Sequence, residues 1–213
     1  SSHMYPVPAL GGIAIYLGFI VPYMAFSSTT GSTKMMVFIY SSLIFILGLI
    51  DDLQGITPGK KLFLIALIAF LISNVEELTI YNLHGLFNIY ELPAWAAMFI
   101  TSILIIFIVI AINLIDGIDG LAGGIGVVIL LIFSWIFKKT GYINYFIFNL
   151  SLVAPICSFL IYNLWSKKYK IFMGDSGSLF LGLALAITLL RYFNILKDTL
   201  IIYFSPSPIT VLA

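Results

Sequence analysis

An all-α, polytopic membrane fold is the expectation, and three observations carry it. Of the 213 residues, 62% are hydrophobic and 9% charged, whereas a soluble domain carries about 25% charged residues. Apolar runs recur along the chain, separated by short polar islands. The runs do not alternate apolar with polar residues, as "LFLIALIAFLI" at 62–72 illustrates, so strands of a membrane barrel are excluded. In lipid the backbone must satisfy its own hydrogen bonds, which leaves helices.

Eight spans follow in order: 9–26, 35–50, 62–73, 94–112, 121–137, 145–162, 179–193 and 200–213. Several are shorter than the roughly 20 residues a crossing needs, so they are expected to extend into the flanking islands or to tilt. The first follows "PVPALGG", a Pro- and Gly-rich opening without a basic leader, which suggests a segment upstream rather than a signal peptide. Residues 1–4, "SSHM", look like a tag remnant, which removes His3 from consideration and leaves 5–213 as a single transmembrane helical domain. Lone Cys157 lies in an apolar run as a small buried or lipid-facing residue, and one cysteine allows no disulfide within the chain. Tyr81, Tyr90, Trp95, Tyr142, Tyr162 and Trp165 sit near span ends, as an interfacial aromatic belt would.

If each run crosses once, the connections alternate between faces. One face receives the segment before Gly11, then 51–61, 113–120 and 163–178; the other receives 27–34, 74–93, 138–144 and 194–199. Three islands therefore share a face: "GLIDDLQGITPGKKL" at 48–62, "NLIDGIDGLAGG" at 113–124 and "KIFMGDSGSLFLG" at 170–182. Lysines and arginines divide five against five between the faces and do not orient the chain. The loop at 74–93, with Glu76, Glu77, His84 and Glu91, falls opposite the islands and is expected to be non-catalytic.

The islands bring Asp51, Asp52, Asp116, Asp119 and Asp175 to one face, beside Lys61 and Lys170. Any one of them alone reads as a solvated loop residue; the set does not. Oxygen ligands without nearby His or Cys suit a hard cation such as Mg²⁺, which takes one or two carboxylates and leaves the rest to water and phosphate. Glycines at 117, 120, 123 and 124, and again at 174 and 177, let backbone N–H groups approach an anion, and helix N-termini favour phosphate. Metal, phosphate and membrane together point to phosphoryl transfer between a soluble nucleotide and a lipid. A net charge of +1 gives no electrostatic case for nucleic acid.

The three islands, with "YPVPALGGIAIY" at 5–16, resemble the signature stretches of polyprenyl-phosphate N-acetylhexosamine-1-phosphate transferases. The resemblance implies transfer of a sugar-1-phosphate from a UDP-sugar to polyprenyl (undecaprenyl) phosphate with release of UMP, at the cytoplasmic face of the bacterial plasma membrane. The spacing from Asp51–Asp52 to Lys61 and the serine in "MGDSGS" look more like the GlcNAc-1-phosphate branch, which starts O-antigen, common-antigen or teichoic-acid linkage units, than the muramoyl-pentapeptide branch. By resemblance, Asp51, Asp52, Asp116, Asp119 and Lys61 are catalytic, and Asn113, Gly117, Gly120, Lys170 and Ser176 meet substrate. Asp175, helped by Asp116, would hold Mg²⁺, with Mn²⁺ as a substitute.

This chain departs from the pattern at Ala9, where an arginine is expected, and lacks the family's first helix, downstream aspartate and His-rich loop; His84 stands alone. Direct displacement and a covalent phospho-aspartate remain open, as does a homodimer. A transporter would set its carboxylates near the bilayer midplane in related halves, and no repeat is visible. The CDP-alcohol phosphatidyltransferases pair an arginine with their "DG" motif, and none is present here. A catalytically silent membrane scaffold is the remaining alternative.

Overall fold

The structure, a computed structural model, describes residues 10–27, 31–83, 85, 88, 90–166 and 169–204, with the side chains of 31–33 and 196–204 left out. Residues 1–4, read above as a tag remnant, and Ala9, His84, Lys167, Lys168 and 205–213 lie outside the described residues. Seven α-helices are described: α1 (Gly11–Phe26), α2 (Gly31–Gln54), α3 (Pro58–Ile72), α4 (Ala94–Ile115), α5 (Leu121–Lys139), α6 (Ile143–Leu160) and α7 (Gly174–Phe204). The protein is an all-helical polytopic membrane protein. Among the described residues, five helical segments are long and apolar enough to cross a bilayer, α1 being a shorter apolar helix.

The helices do extend into the islands. α2 runs on to Gln54, which puts Asp51 and Asp52 in its last turn, and α4 runs to Ile115, which puts Asn113 in its last turn. The expected connection at 194–199 and a separate span from 200 are corrected: α7 continues through Asn194, Lys197 and Asp198 to Phe204. The polar residues there lower the hydropathy, but no Gly or Pro ends the helix. A dip in hydropathy marks where a helix leaves the membrane, not where it stops.

α7 is the hub. Its spanning window is 72% buried, against 28–33% for the other four, and it packs against α1, α2, α4 and α5. Without a hydrophobic force between helices in lipid, small residues allow the close contacts that hold the bundle. A Cβ at Gly182 would lie 2.7 Å from the Val109 Cα of α4, and one at Gly18 of α1 would lie 2.6 Å from the Pro155 ring of α6. Large apolar side chains such as Phe63, Phe99, Phe107 and Leu131 point outward, which in a membrane is the lipid side. Trp95 and Trp165 are exposed at helix ends, where belt residues belong.

At the end opposite the islands, a 3-10 turn, Glu76–Leu78, ties the loop to the bundle. The Tyr145 hydroxyl donates to Glu77 at 2.8 Å and the Asn194 amide donates to the Glu77 carbonyl at 2.8 Å. Arg191 lies between the rings of Tyr142 and Tyr145, 5.0 and 5.1 Å from their centroids. Tyr142, expected in the belt, is thus part of a brace between α6 and α7.

Candidate active site

Each island begins or ends a helix, so its polar residues sit where the backbone leaves the apolar layer. α3 starts with Pro58 in its first turn, where the missing N–H costs nothing, and Lys61 follows within that turn. The α4–α5 connection is five residues, Asp116 to Gly120, and closes on Gly120 at φ +71°. Gly174, φ +72°, turns the chain into α7 immediately before Asp175. Both turns require a left-handed backbone conformation that glycine adopts without strain.

Lys61 is the centre of the cluster. Its ammonium meets Asp51 Oδ2 at 2.8 Å, Asp175 Oδ1 at 2.7 Å and Asn113 Oδ1 at 3.3 Å, three oxygens for three N–H donors. These contacts join α2, α3, α4 and α7, and so bring all three islands together as the side count expects. Asp51, 8% exposed, also accepts from the Ile56 N–H at 2.6 Å, so both its oxygens are engaged. The Asn113 amide donates to Asp175 Oδ1 and, at 2.8 Å, to Ser178 Oγ. Both side-chain bonds to Asp175 fall on Oδ1, so Oδ2 can serve another ligand.

Asp52 takes no part in that cluster. Its Oδ1 accepts from the Asp175 backbone N–H at 2.7 Å and its Oδ2 from the Ser176 N–H at 2.9 Å. The first amides of α7 are therefore bonded to Asp52, which corrects the expectation that they face a substrate phosphate. Gly177 likewise packs against Gly12: a Cβ on it would lie 2.8 Å from the Gly12 Cα. Ser176, expected to meet substrate, is fully buried, with its Oγ unpartnered among the described residues. It faces α1, because a Cβ on Gly12 would lie 2.3 Å from that oxygen.

Asp116, Asp119 and Lys170 form the outer part of the site. Lys170 is paired with Asp119, and its ammonium also lies 5.5 Å from the Phe172 ring centroid. Asp116 has no hydrogen-bond or ion-pair partner among the described residues. Burial, then the charges of Asp175, Asp52 and Asp119, push its carboxyl up from 3.8 to about 7. Gly117 is exposed, with only the Leu114 carbonyl oxygen, at 3.8 Å, near where a Cβ would go, while Gly120 lies against Leu164.

The donor set fits a hard cation. Asp175 Oδ2 and unpartnered Asp116 are oxygen donors in a region with more carboxylates than lysines, and Asn113 adds an amide oxygen beside them. No three carboxylate, His or Cys groups among the described residues stand close enough to hold a metal by themselves. Mg²⁺ does not need three, since water and phosphate commonly complete its shell. Ser178 and the Ile56 N–H escaped the sequence reading: a serine in "SGS" carries no signal of its own, and a backbone donor carries none at all.

Residues 34–193 match the family described as glycosyl transferase family 4. This chain belongs to that family. Relatives of this family 4 chain include a probable undecaprenyl-phosphate N-acetylglucosaminyl 1-phosphate transferase of Bacillus subtilis, 33% identical over 183 residues, covering 85% of this chain and 50% of that protein. An undecaprenyl-phosphate alpha-N-acetylglucosaminyl 1-phosphate transferase of Haemophilus influenzae is 29% identical over 195 residues, covering 88% of this chain and 54% of the relative. A phospho-N-acetylmuramoyl-pentapeptide-transferase of Leuconostoc mesenteroides is 42% identical over 66 residues, 30% of this chain and 19% of that protein. The family 4 chain spans about half the length of the longer-matching relatives.

Proposed function

We propose that the protein transfers an N-acetylhexosamine-1-phosphate, GlcNAc-1-phosphate by preference, from a UDP-sugar to polyprenyl (undecaprenyl) phosphate and releases UMP. The observation that carries this is Lys61, which gathers Asp51, Asn113 and Asp175 from three other helices at one end of the bundle. That is where a lipid phosphate in the membrane and a nucleotide from water would meet. Membership in family 4 supports the same reading, and most long-matching relatives carry N-acetylglucosamine-1-phosphate transferase names, although one matching over 199 residues is named a phospho-N-acetylmuramoyl-pentapeptide-transferase. The protein would sit in the bacterial plasma membrane with this end towards the cytoplasm, where UDP-sugars are made.

In the reaction an oxygen of the lipid phosphate forms a bond to the β-phosphorus of the UDP-sugar. The bond from that phosphorus to the bridging oxygen breaks, and its electron pair leaves with UMP. A phosphate monoester has a second pKa of about 6, so the nucleophile is largely a dianion at neutral pH and needs no general base. Asp51, with both oxygens engaged, holds Lys61 in place. Among the described residues of the cluster, Lys61 and Lys170 would bring positive charge to the developing phosphate charge. Asp175 and Asp116 would hold Mg²⁺, which supplies charge neutralisation at the diphosphate.

Radiolabelled UDP-GlcNAc and undecaprenyl phosphate, incubated with the full-length protein and Mg²⁺, test the proposal. Label in a lipid-soluble product with equimolar UMP is expected. Turnover with UDP-N-acetylmuramoyl-pentapeptide alone would move the protein to the other branch, and no turnover with either donor would refute the reading.

A further inference from the structure

Asp51 and Asp52 are adjacent in α2, about 100° apart around the helix axis, and they serve different neighbours. Asp51 faces Lys61 and Ile56. Asp52 faces the start of α7. A helix begins with N–H groups that have no partner inside it, and the residue just before usually caps them with its own side chain. Ahead of Asp175 stand Met173 and Gly174, neither of which carries an oxygen acceptor. The acceptor comes instead from Asp52, 123 residues earlier in the chain, with one oxygen on the Asp175 amide and one on the Ser176 amide. Its negative charge also lies at the positive end of the α7 dipole.

The backbone around this contact is built to allow it. Gly48 lies one turn before Asp52 on the same face of α2, and a Cβ there would stand 2.5 Å from the Asp175 carbonyl oxygen and 2.5 Å from the Ser176 Cα. On the α1 side, the Gly11 N–H donates to the Phe172 carbonyl and the Gly12 N–H to the Met173 carbonyl, each at 2.9 Å. The segment 172–176 is thus held by its carbonyls from α1 and by its amides from α2. Asp175 is the residue that this double grip orients towards Lys61 and Asn113.

We infer that Asp52 is a positioning residue: it caps α7 from a different helix, fixes the direction of Asp175, and does not itself meet the reacting phosphates. The inference takes the reaction from the proposed function, but its first readout does not depend on turnover. Asp52→Asn keeps the size of the side chain, yet offers one acceptor where two amides need one each. Hydrogen exchange is measured at the Asp175 and Ser176 amides of the full-length protein in detergent micelles without substrates. The expected result is at least tenfold faster exchange in Asp52→Asn, with the amides of α5 unchanged.

In transfer assays kcat should fall at least tenfold while KM for the UDP-sugar stays within about twofold, since positioning acts on the transition state more than on ground-state binding. The double variant Asp52→Asn/Asp175→Asn should be no slower than Asp175→Asn alone, because Asp52 acts through Asp175. Unchanged exchange at the two amides, or rate losses that multiply in the double variant, would overturn the inference. If Asp52→Asn does not fold, the wild-type protein decides: its Asp175 and Ser176 amides must exchange at least tenfold more slowly than unprotected amides, and free exchange there refutes the cap. Failure of the transferase reading would appear separately, as a wild-type protein with protected amides and no product.

Discussion

Lys61→Met removes an ammonium that joins all three islands while keeping a long, helix-compatible side chain. Truncating one partner of a buried ion pair costs about 3–5 kcal/mol, because the other charge is left behind. The Lys61 side chain is 16% exposed and that of Asp51 8% exposed, so the contact is largely buried and the lower end of that range applies. Asp175 is 32% exposed, and its contact adds at most about 1 kcal/mol after screening. Asp51 keeps its bond from the Ile56 N–H, which offsets part of the loss, so about 3 kcal/mol is the working figure. At about 2–4 °C per kcal/mol for a chain of this size, the melting temperature in micelles should drop by about 6–12 °C. Transfer should slow by about 10²–10³-fold, the cost of removing one preorganised electrostatic donor. Thermal melts and initial rates on the same preparation check both figures. A melting shift below about 2 °C together with near-wild-type transfer would refute the view that Lys61 organises the site.

Asp175→Asn retains the shape but not the charge that a hard cation needs, and should cost about a hundredfold or more in transfer rate; Mn²⁺ should replace Mg²⁺ in the wild type and Ca²⁺ should not. Wild-type activity of the variant with unchanged Mg²⁺ dependence would contradict its role as ligand. Asp116 holds its proton to about pH 7 when folded, against 3.8 for the free group, so folding binds a proton between these values and stability falls as pH rises through that window. In EDTA, Asp116→Asn should therefore melt higher than wild type at pH 8 and level with it below pH 4, and a lower melting temperature at pH 8 would reverse the argument. Gly48→Ala forces a methyl against the α7 backbone and should destabilise by about 1–3 kcal/mol, whereas Gly124→Ala, with nothing within 4 Å, should melt no lower than wild type.

Much of this arrangement is legible in the sequence because the membrane enforces it. An even number of crossings between islands puts Asp51, Asn113 and Asp175 on one face, and few polar residues are available there to meet one another. What sequence does not carry is direction around a helix end. Asp51 and Asp52 look equivalent on paper, but the rotation between them sends one to a lysine and the other to backbone amides. Ser176 reads as a substrate contact from its place beside Asp175, yet the same rotation turns it into α1. Gly177 of "MGDSGS" reads as part of an anion cradle, whereas it is spent on helix contact with Gly12. Glu77 gave no signal, because its partners Tyr145, Arg191 and Asn194 lie 68 to 117 residues away.

The central position of α7 also bears on how the protein is made. α1 to α6 precede α7 in the chain, so the ribosome delivers the hub after the helices that surround it. Until α7 arrives, the cleft it will fill is lined by glycines, by Asp52 without either of its amide partners and by Lys61 without Asp175, and Asn149 lacks the Thr188 hydroxyl that donates to it at 2.7 Å. Membrane insertion of α1 to α6 is therefore a waiting stage, and their packing around a common centre depends on one segment made after them.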